Sequence, residues 1–137
     1  MNVSEPQQNL PYAMLVGLAG WFVPGVGHVI LGEWVRGSII FLTVAALFGG
    51  GLYLGSIGVI DAVNARPWYF GQMLTSPLVS LLAKLNPTVG GVPAYQSYGK
   101  PFEIGQIYTT IAGMLNLLCI INAMYMAYSG RRQPGSE

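Results

Sequence analysis

Charged positions divide the chain into long apolar windows. No Asp, Glu, Lys or Arg stands between Glu5 and Glu33, between Arg36 and Asp61, or between Glu103 and Arg131. A helix rises about 1.5 Å per residue and a hydrocarbon core is about 30 Å thick, so roughly 20 apolar residues suffice to cross a bilayer. All three windows are long enough. Segments 37–60 and 104–128 read as uninterrupted transmembrane helices. Segment 11–31 carries Pro24-Gly25 in its interior. Proline removes a helical donor and biases the preceding Val23 away from helix. This segment is therefore either one kinked crossing helix or a half-helix that breaks at Pro24 and re-enters. In both cases the freed backbone groups must turn toward protein.

The region 62–103 is patterned differently. Arg66-Pro67-Trp68-Tyr69-Phe70 sets three aromatics beside a charge, as membrane interfaces do. Gln72, Ser76, Ser80 and Lys84 then recur every fourth residue, with Leu74, Leu78, Leu81, Leu82 and Leu85 between them. That narrow polar stripe predicts a helix over 70–85 lying in the interface, or a shallow re-entrant segment. Asn86-Pro87 ends it, and the prolines and glycines of 86–103 predict a loop. Beyond Tyr128, segment 129–137 reads as a disordered tail. The expected fold is an all-α integral membrane protein forming a single membrane domain. It has about three transmembrane helices, the first broken at Pro24-Gly25, and one interfacial or re-entrant helix.

Composition strengthens this picture. Charged residues make up 8% of the 137 residues, against about 25% in soluble proteins. A net charge of +1 offers no basic field to nucleic acid. No Lys or Arg precedes the first apolar window, so that window is expected to be retained rather than cleaved as a signal. The single cysteine, Cys119, excludes an intramolecular disulfide. Within 37–60, Ala46/Gly50 and Gly51/Gly55 are small residues four apart, a spacing that lets helix backbones touch. Both packing within the chain and self-association fit it.

Candidate chemistry is sparse. His28 is the only histidine. It suits proton exchange or metal ligation, or else a hydrogen bond to a backbone group freed by the Pro24 break. Glu33, Asp61 and Cys119 are its only possible co-ligands, and no metal-binding spacing joins them, so neither a metal nor a cofactor is expected. Glu33 and Arg36, three apart, suit an ion pair on one helical turn, solvated or closing the hairpin. Asp61 ends a helix whose dipole disfavours a carboxylate by about 0.3–1 kcal/mol, which calls for Arg66 or a lipid headgroup nearby. Asn116 and Thr109, seven apart, share a face that Asn122 does not. Such groups join helices or line a polar path. No nucleophile elbow, phosphate loop or paired carboxylates appear, so an enzyme is not expected.

The most specific string is Pro24-Gly25-Val26-Gly27-His28-Val29-Ile30-Leu31-Gly32, followed by Gly37. It resembles a P-G-x-G-H-x-x-x-G signature of small bacterial multi-pass membrane proteins of unknown function. More distantly, residues 12–64 resemble the two-transmembrane-helix domain family, with its His-bearing Gly-rich turn and an Asp after the second helix, here Asp61. Val29 and Ile30 stand where that family has an aromatic pair, and one residue fewer separates His28 from Gly32. The resemblance implies a membrane hairpin with a tight turn in a bacterial inner membrane, and carries no catalytic residue.

The function expected is that of a non-enzymatic structural or accessory subunit. Its partners would be the lipid bilayer and other membrane proteins, or further copies of itself. The alternative is a small transporter or channel component acting as an oligomer.

Overall fold

The computed structural model describes residues 9–61, 66–85, 88–89, 92–93 and 99–129. Six helices carry the fold: α1 (Asn9–Phe22), α2 (Val26–Ile30), α3 (Trp34–Gly55), α4 (Arg66–Met73), α5 (Leu78–Lys84) and α6 (Lys100–Ser129). A 3₁₀ turn, Ile57–Val59, follows α3. Between α5 and α6, β1 (Thr88–Val89) and β2 (Val92–Pro93) form a minimal antiparallel ladder pairing 88 with 93 and 89 with 92.

The chain reverses at Pro24-Gly25 rather than continuing through it. Gly25 sits at φ 85°, ψ −20°, and Val26 N–H donates to Val23 carbonyl at 3.1 Å. With proline at the second position and a left-handed glycine at the third, this is a type II turn. A side chain on Gly25 would also strike the Gly37 carbonyl. One short helix later the chain reverses again. Gly32 has φ 81°, its N–H donates to Val29 carbonyl at 2.9 Å, and Glu33 N–H donates to His28 carbonyl at 2.9 Å. Those two bonds about a left-handed glycine form a Schellman motif, which satisfies carbonyls that a helix end leaves open. Gly27, between the turns, lies against the Val16 carbonyl and Ala123. The signature string is thus a backbone device that folds α2 back onto α1.

The other long elements differ from the sequence-based boundaries for local reasons. The helix expected at 37–60 is α3, which starts earlier and stops at Gly55. There Ser56 takes φ 62° and the chain tightens into the 3₁₀ turn. The helix expected at 104–128 is α6, which starts at Lys100 because Pro101 is harmless in a first turn. It takes over the end of the expected 86–103 loop. The single helix expected at 70–85 is two helices, α4 and α5, parted before Pro77. The expected tail at 129–137 lies outside the described residues beyond Ser129.

α6 is the axis on which the rest is arranged. α3 runs antiparallel to it: Gly51 meets Gly105 and Thr109, and Gly55 meets Gly105 near Pro101. α1 is also antiparallel. Ala13 and Val16 cluster with Ala123 and Ala127, and Gly20 reaches Ile120. α4 enters from the opposite end and runs parallel to α6, with Gly71 against Thr110 and Gly113. α5 then turns back toward the 3₁₀ turn. The α1–α2 and α4–α5 hairpins therefore approach from opposite ends of α6, and their tips meet beside Asn116, close to its midpoint.

Several polar side chains are buried and many large apolar ones face outward, unlike in a water-soluble bundle. The fully buried side chains include Gln72, Thr109 and Asn116, and His28 is 3% exposed. The buried apolar residues are mostly small, such as Ala13, Val16, Ala112 and Ala123. Leu15, Leu18, Leu42, Phe70, Leu81 and Leu118 face outward, and Tyr53 is 89% exposed.

Candidate functional site

Two places concentrate polar groups: the junction where the hairpin tips meet, and a cleft beside it.

At the junction, two half-helices end and leave carbonyls without intrahelical donors. Side chains from elsewhere supply them. Asn116 Nδ2 lies among three carbonyls, those of Thr75 at 2.9 Å, Leu74 at 3.0 Å and Gly20 at 3.3 Å. Trp21 Nε1 donates to the Met73 carbonyl at 2.9 Å. Ser76 Oγ donates to the Phe22 carbonyl at 2.8 Å and accepts from Leu78 N–H at 3.2 Å. The first hairpin thus supplies a donor to the second, and the second to the first. One turn away, Gln72 Nε2 donates to the Val59 carbonyl at 3.1 Å and to Thr109 Oγ1 at 2.9 Å. Thr109 Oγ1 in turn lies 2.9 Å from the Gly105 carbonyl and 3.1 Å from that of Gln106. Gly113 gives α4 its close approach, because a Cβ there would collide with the Gly71 carbonyl.

The cleft lies open between α2, α3 and α6 and has a volume of about 490 Å³. His28, Arg36 and Asn122 form its polar side, and Ile39, Ile40, Leu118 and Cys119 complete the walls. His28 Nε2 pairs with Asn122 Oδ1 at 3.3 Å. Arg36 Nη1 donates to Glu33 Oε2 at 2.9 Å, with the Arg36 side chain 64% exposed. Ile39 and Leu118 are open to the outside of the bundle, so the cleft opens sideways as well as at the end of the bundle.

The sequence-derived candidates divide between these places. Asn116 is the centre of the junction. His28, Arg36 and Asn122 gather at the cleft, with Glu33 paired to Arg36. Asp61 is buried behind the 3₁₀ turn. Arg66 starts α4 and is exposed, and residues 62–65 between the two lie outside the described residues. Of the small pairs, Gly51 and Gly55 pack on α6. Ala46 is exposed, and a Cβ on Gly50 would meet nothing within 4 Å. The stripe of Gln72 and Ser76 turns into the protein, whereas an interfacial helix would turn it to water. Trp21, Thr75, Gly71, Gly105 and Gly113 escaped the sequence reading. Gly71 and Gly113 carried only the weak signal of small residues within apolar stretches.

Among the described residues no three His, Cys, Asp or Glu side chains gather around a common point. Cys119 shares the cleft wall with His28 and Asn122.

The fold and its sites define a helical protein with two helices, α3 and α6, long and apolar enough to cross a membrane, braced by two opposed hairpins. The chain belongs to DUF6677, a family of unknown function whose pattern matches residues 15–133. No curated protein and no solved structure matches it.

Proposed function

We propose that this is a multi-pass integral protein of the cell membrane without a reaction of its own, acting as a structural or accessory subunit. α3 and α6 cross the bilayer. α1–α2 and α4–α5 dip halfway from opposite sides and seal against each other at Asn116. The carrying observation is the inverted polarity. Gln72, Thr109 and Asn116 are fully buried while Leu81, Phe70 and Tyr53 lie outside. Water would reward the opposite arrangement, whereas in lipid, broken backbone must be satisfied by protein. At about 33 Å, α3 matches a hydrocarbon core of about 30 Å, while α1, at about 21 Å, does not.

Such a chain acts through what it binds. The outer face of α3 carries Ala45, Ala46 and Gly49 exposed, with Gly50 beside them. Small residues left open to lipid allow a neighbouring helix to approach closely. The test is extraction. The protein should stay with membranes through an alkaline carbonate wash and need detergent to leave them. Release into the wash would overturn the reading.

A second reading, a transporter or channel component acting as an oligomer, is favoured by one observation. Gln72 Oε1, Thr75 Oγ1 and Asn116 Oδ1 are buried acceptors without a hydrogen-bond partner. Against it, the crevice lined by Gly20, Gly27, His28 and Asn116 is too tight for water. Single cysteines replacing His28, Asp61, Thr109 and Asn116 would separate the readings. Labelling by a water-soluble thiol reagent would favour a path, and uniform protection would exclude it.

A further inference from the structure

We propose that the cleft between α2, α3 and α6 is a binding site for one membrane phospholipid, held by its phosphodiester head. The inference rests on the membrane reading above.

Three observations converge on this ligand. First, the cleft has two chemistries in one space. His28, Arg36 and Asn122 line it together with Ile39, Ile40 and Leu118, the apolar residues one turn along α3 and α6 from the polar ones. An occupant with a polar head and an apolar tail satisfies both, whereas a simple ion or a hydrocarbon satisfies one. Second, the donors suit a phosphodiester. Arg36 commits Nη1 to Glu33, and its exposed guanidinium retains further N–H groups in a fork that matches phosphate oxygens. The Asn122 amide accepts through Oδ1 from the imidazole in one tautomer, which leaves its NH₂ group able to donate. Third, Arg36 is the one cation among the described residues that line the cleft, so a single phosphate meets a single guanidinium.

The position agrees with the chemistry. Arg36 lies in the first turn of α3, and Asn122 lies about 9 Å along α6 from the midpoint at Asn116, below the headgroup level but within reach of a phosphate held by the long Arg36 side chain. Ile39 and Leu118 lie further along the two helices toward the middle of the bundle. A head at Arg36 therefore sends its chain along a wall already open to lipid. The signature string builds this cleft: the type II turn and the Schellman motif fix α2, and α2 presents His28 to Asn122.

Cys119 supplies the test, because the only cysteine of the chain lines the cleft. The full-length protein in detergent would be alkylated with a maleimide in the presence of phosphatidylethanolamine, of diacylglycerol with the same chains, or of glycerophosphoethanolamine. The expected result is slower alkylation with the phospholipid alone, and one phospholipid retained per chain in native mass spectrometry. Arg36→Gln and Asn122→Leu should each weaken that protection about tenfold, as loss of a hydrogen bond to a charged group does. Melting temperature would establish that both variants remain folded.

Equal shielding by diacylglycerol would reduce the site to an apolar groove and overturn the proposal. Equal shielding by glycerophosphoethanolamine would make it a site for the soluble head. Protection unchanged in both variants, or a Cys119 closed to reagent without lipid, would also refute it. A protein that needs no detergent would instead refute the membrane reading, and that result is read at extraction, before any lipid is added.

Discussion

The two hairpins face one physical problem and meet it with different means. Each ends a half-helix beside the middle of α6, where the last carbonyls lack intrahelical donors. α1–α2 closes its tip with a type II turn at Pro24-Gly25, set by its own backbone, and takes one side-chain donor at the Gly20 carbonyl and one at that of Phe22. α4–α5 relies on distant side chains, with Asn116 reaching two of its carbonyls and Trp21 a third. A local solution needs glycine and proline at fixed positions, so it leaves a sequence string. A distant solution needs one amide 41 or 42 residues away, and leaves none.

The comparison predicts a graded response to substitution. The largest effect belongs to Asn116→Asp, which keeps the shape but turns a donor into a carboxylate among three carbonyls. We expect a loss of roughly 3 kcal/mol or more, since each unsatisfied buried group costs about 1–3 kcal/mol. Unfolding in mixed detergent would measure it. A wild-type midpoint would mean that the tips do not depend on that amide.

Next comes Gly113→Ala, whose new methyl meets the Gly71 carbonyl and should cost about 1–3 kcal/mol through overpacking. Its control is Gly50→Ala, where nothing lies within 4 Å. That change should be neutral or gain up to about 1 kcal/mol from helix propensity. Equal losses in the two would contradict the packing of α4 on α6.

In the first hairpin, Gly25→Ala forces a side chain into a left-handed conformation, at about 1–2 kcal/mol, and against the Gly37 carbonyl as well. Thermal melts should therefore show Gly25→Ala losing more than the about 1–2 kcal/mol of the left-handed conformation alone, and a loss within that range would count against the contact with α3. The smallest effect is that of Ser76→Ala, which removes one hydrogen bond between the tips, worth about 0.6 kcal/mol between helices in lipid. A double substitution with Trp21→Phe should show coupling, because both bonds cross the same junction.

How much of this was legible follows from the same contrast. The two long apolar helices could be read from the spacing of charges, because α3 and α6 fall almost wholly within windows free of Asp, Glu, Lys and Arg. The reversal at Pro24-Gly25 was readable as one of two routes, because proline and glycine act on their own backbone. The arrangement of 66–85 was readable only as one helix that lies in the interface or re-enters, not as two helices with their stripe turned inward. Its four-residue polar stripe has the same period whether it faces water or a buried Thr109, and period alone carries no sign. Asn116 was visible as a polar residue in an apolar helix, but its three acceptors lie on two other elements. The cleft was out of reach because His28 and Asn122 are 94 residues apart, and neither position hints at the other.

The central claim is that the hairpins enter from opposite sides and do not cross. Two-sided labelling tests it most directly. In a Cys119→Ser background, Leu10→Cys, Glu33→Cys, Arg66→Cys and Lys84→Cys would each be exposed to a membrane-impermeant maleimide in sealed vesicles of known orientation. Positions 10 and 33 should label from one side, and positions 66 and 84 from the other. Labelling of 10 and 33 from opposite sides would show that the first segment crosses the bilayer, and would contradict the account.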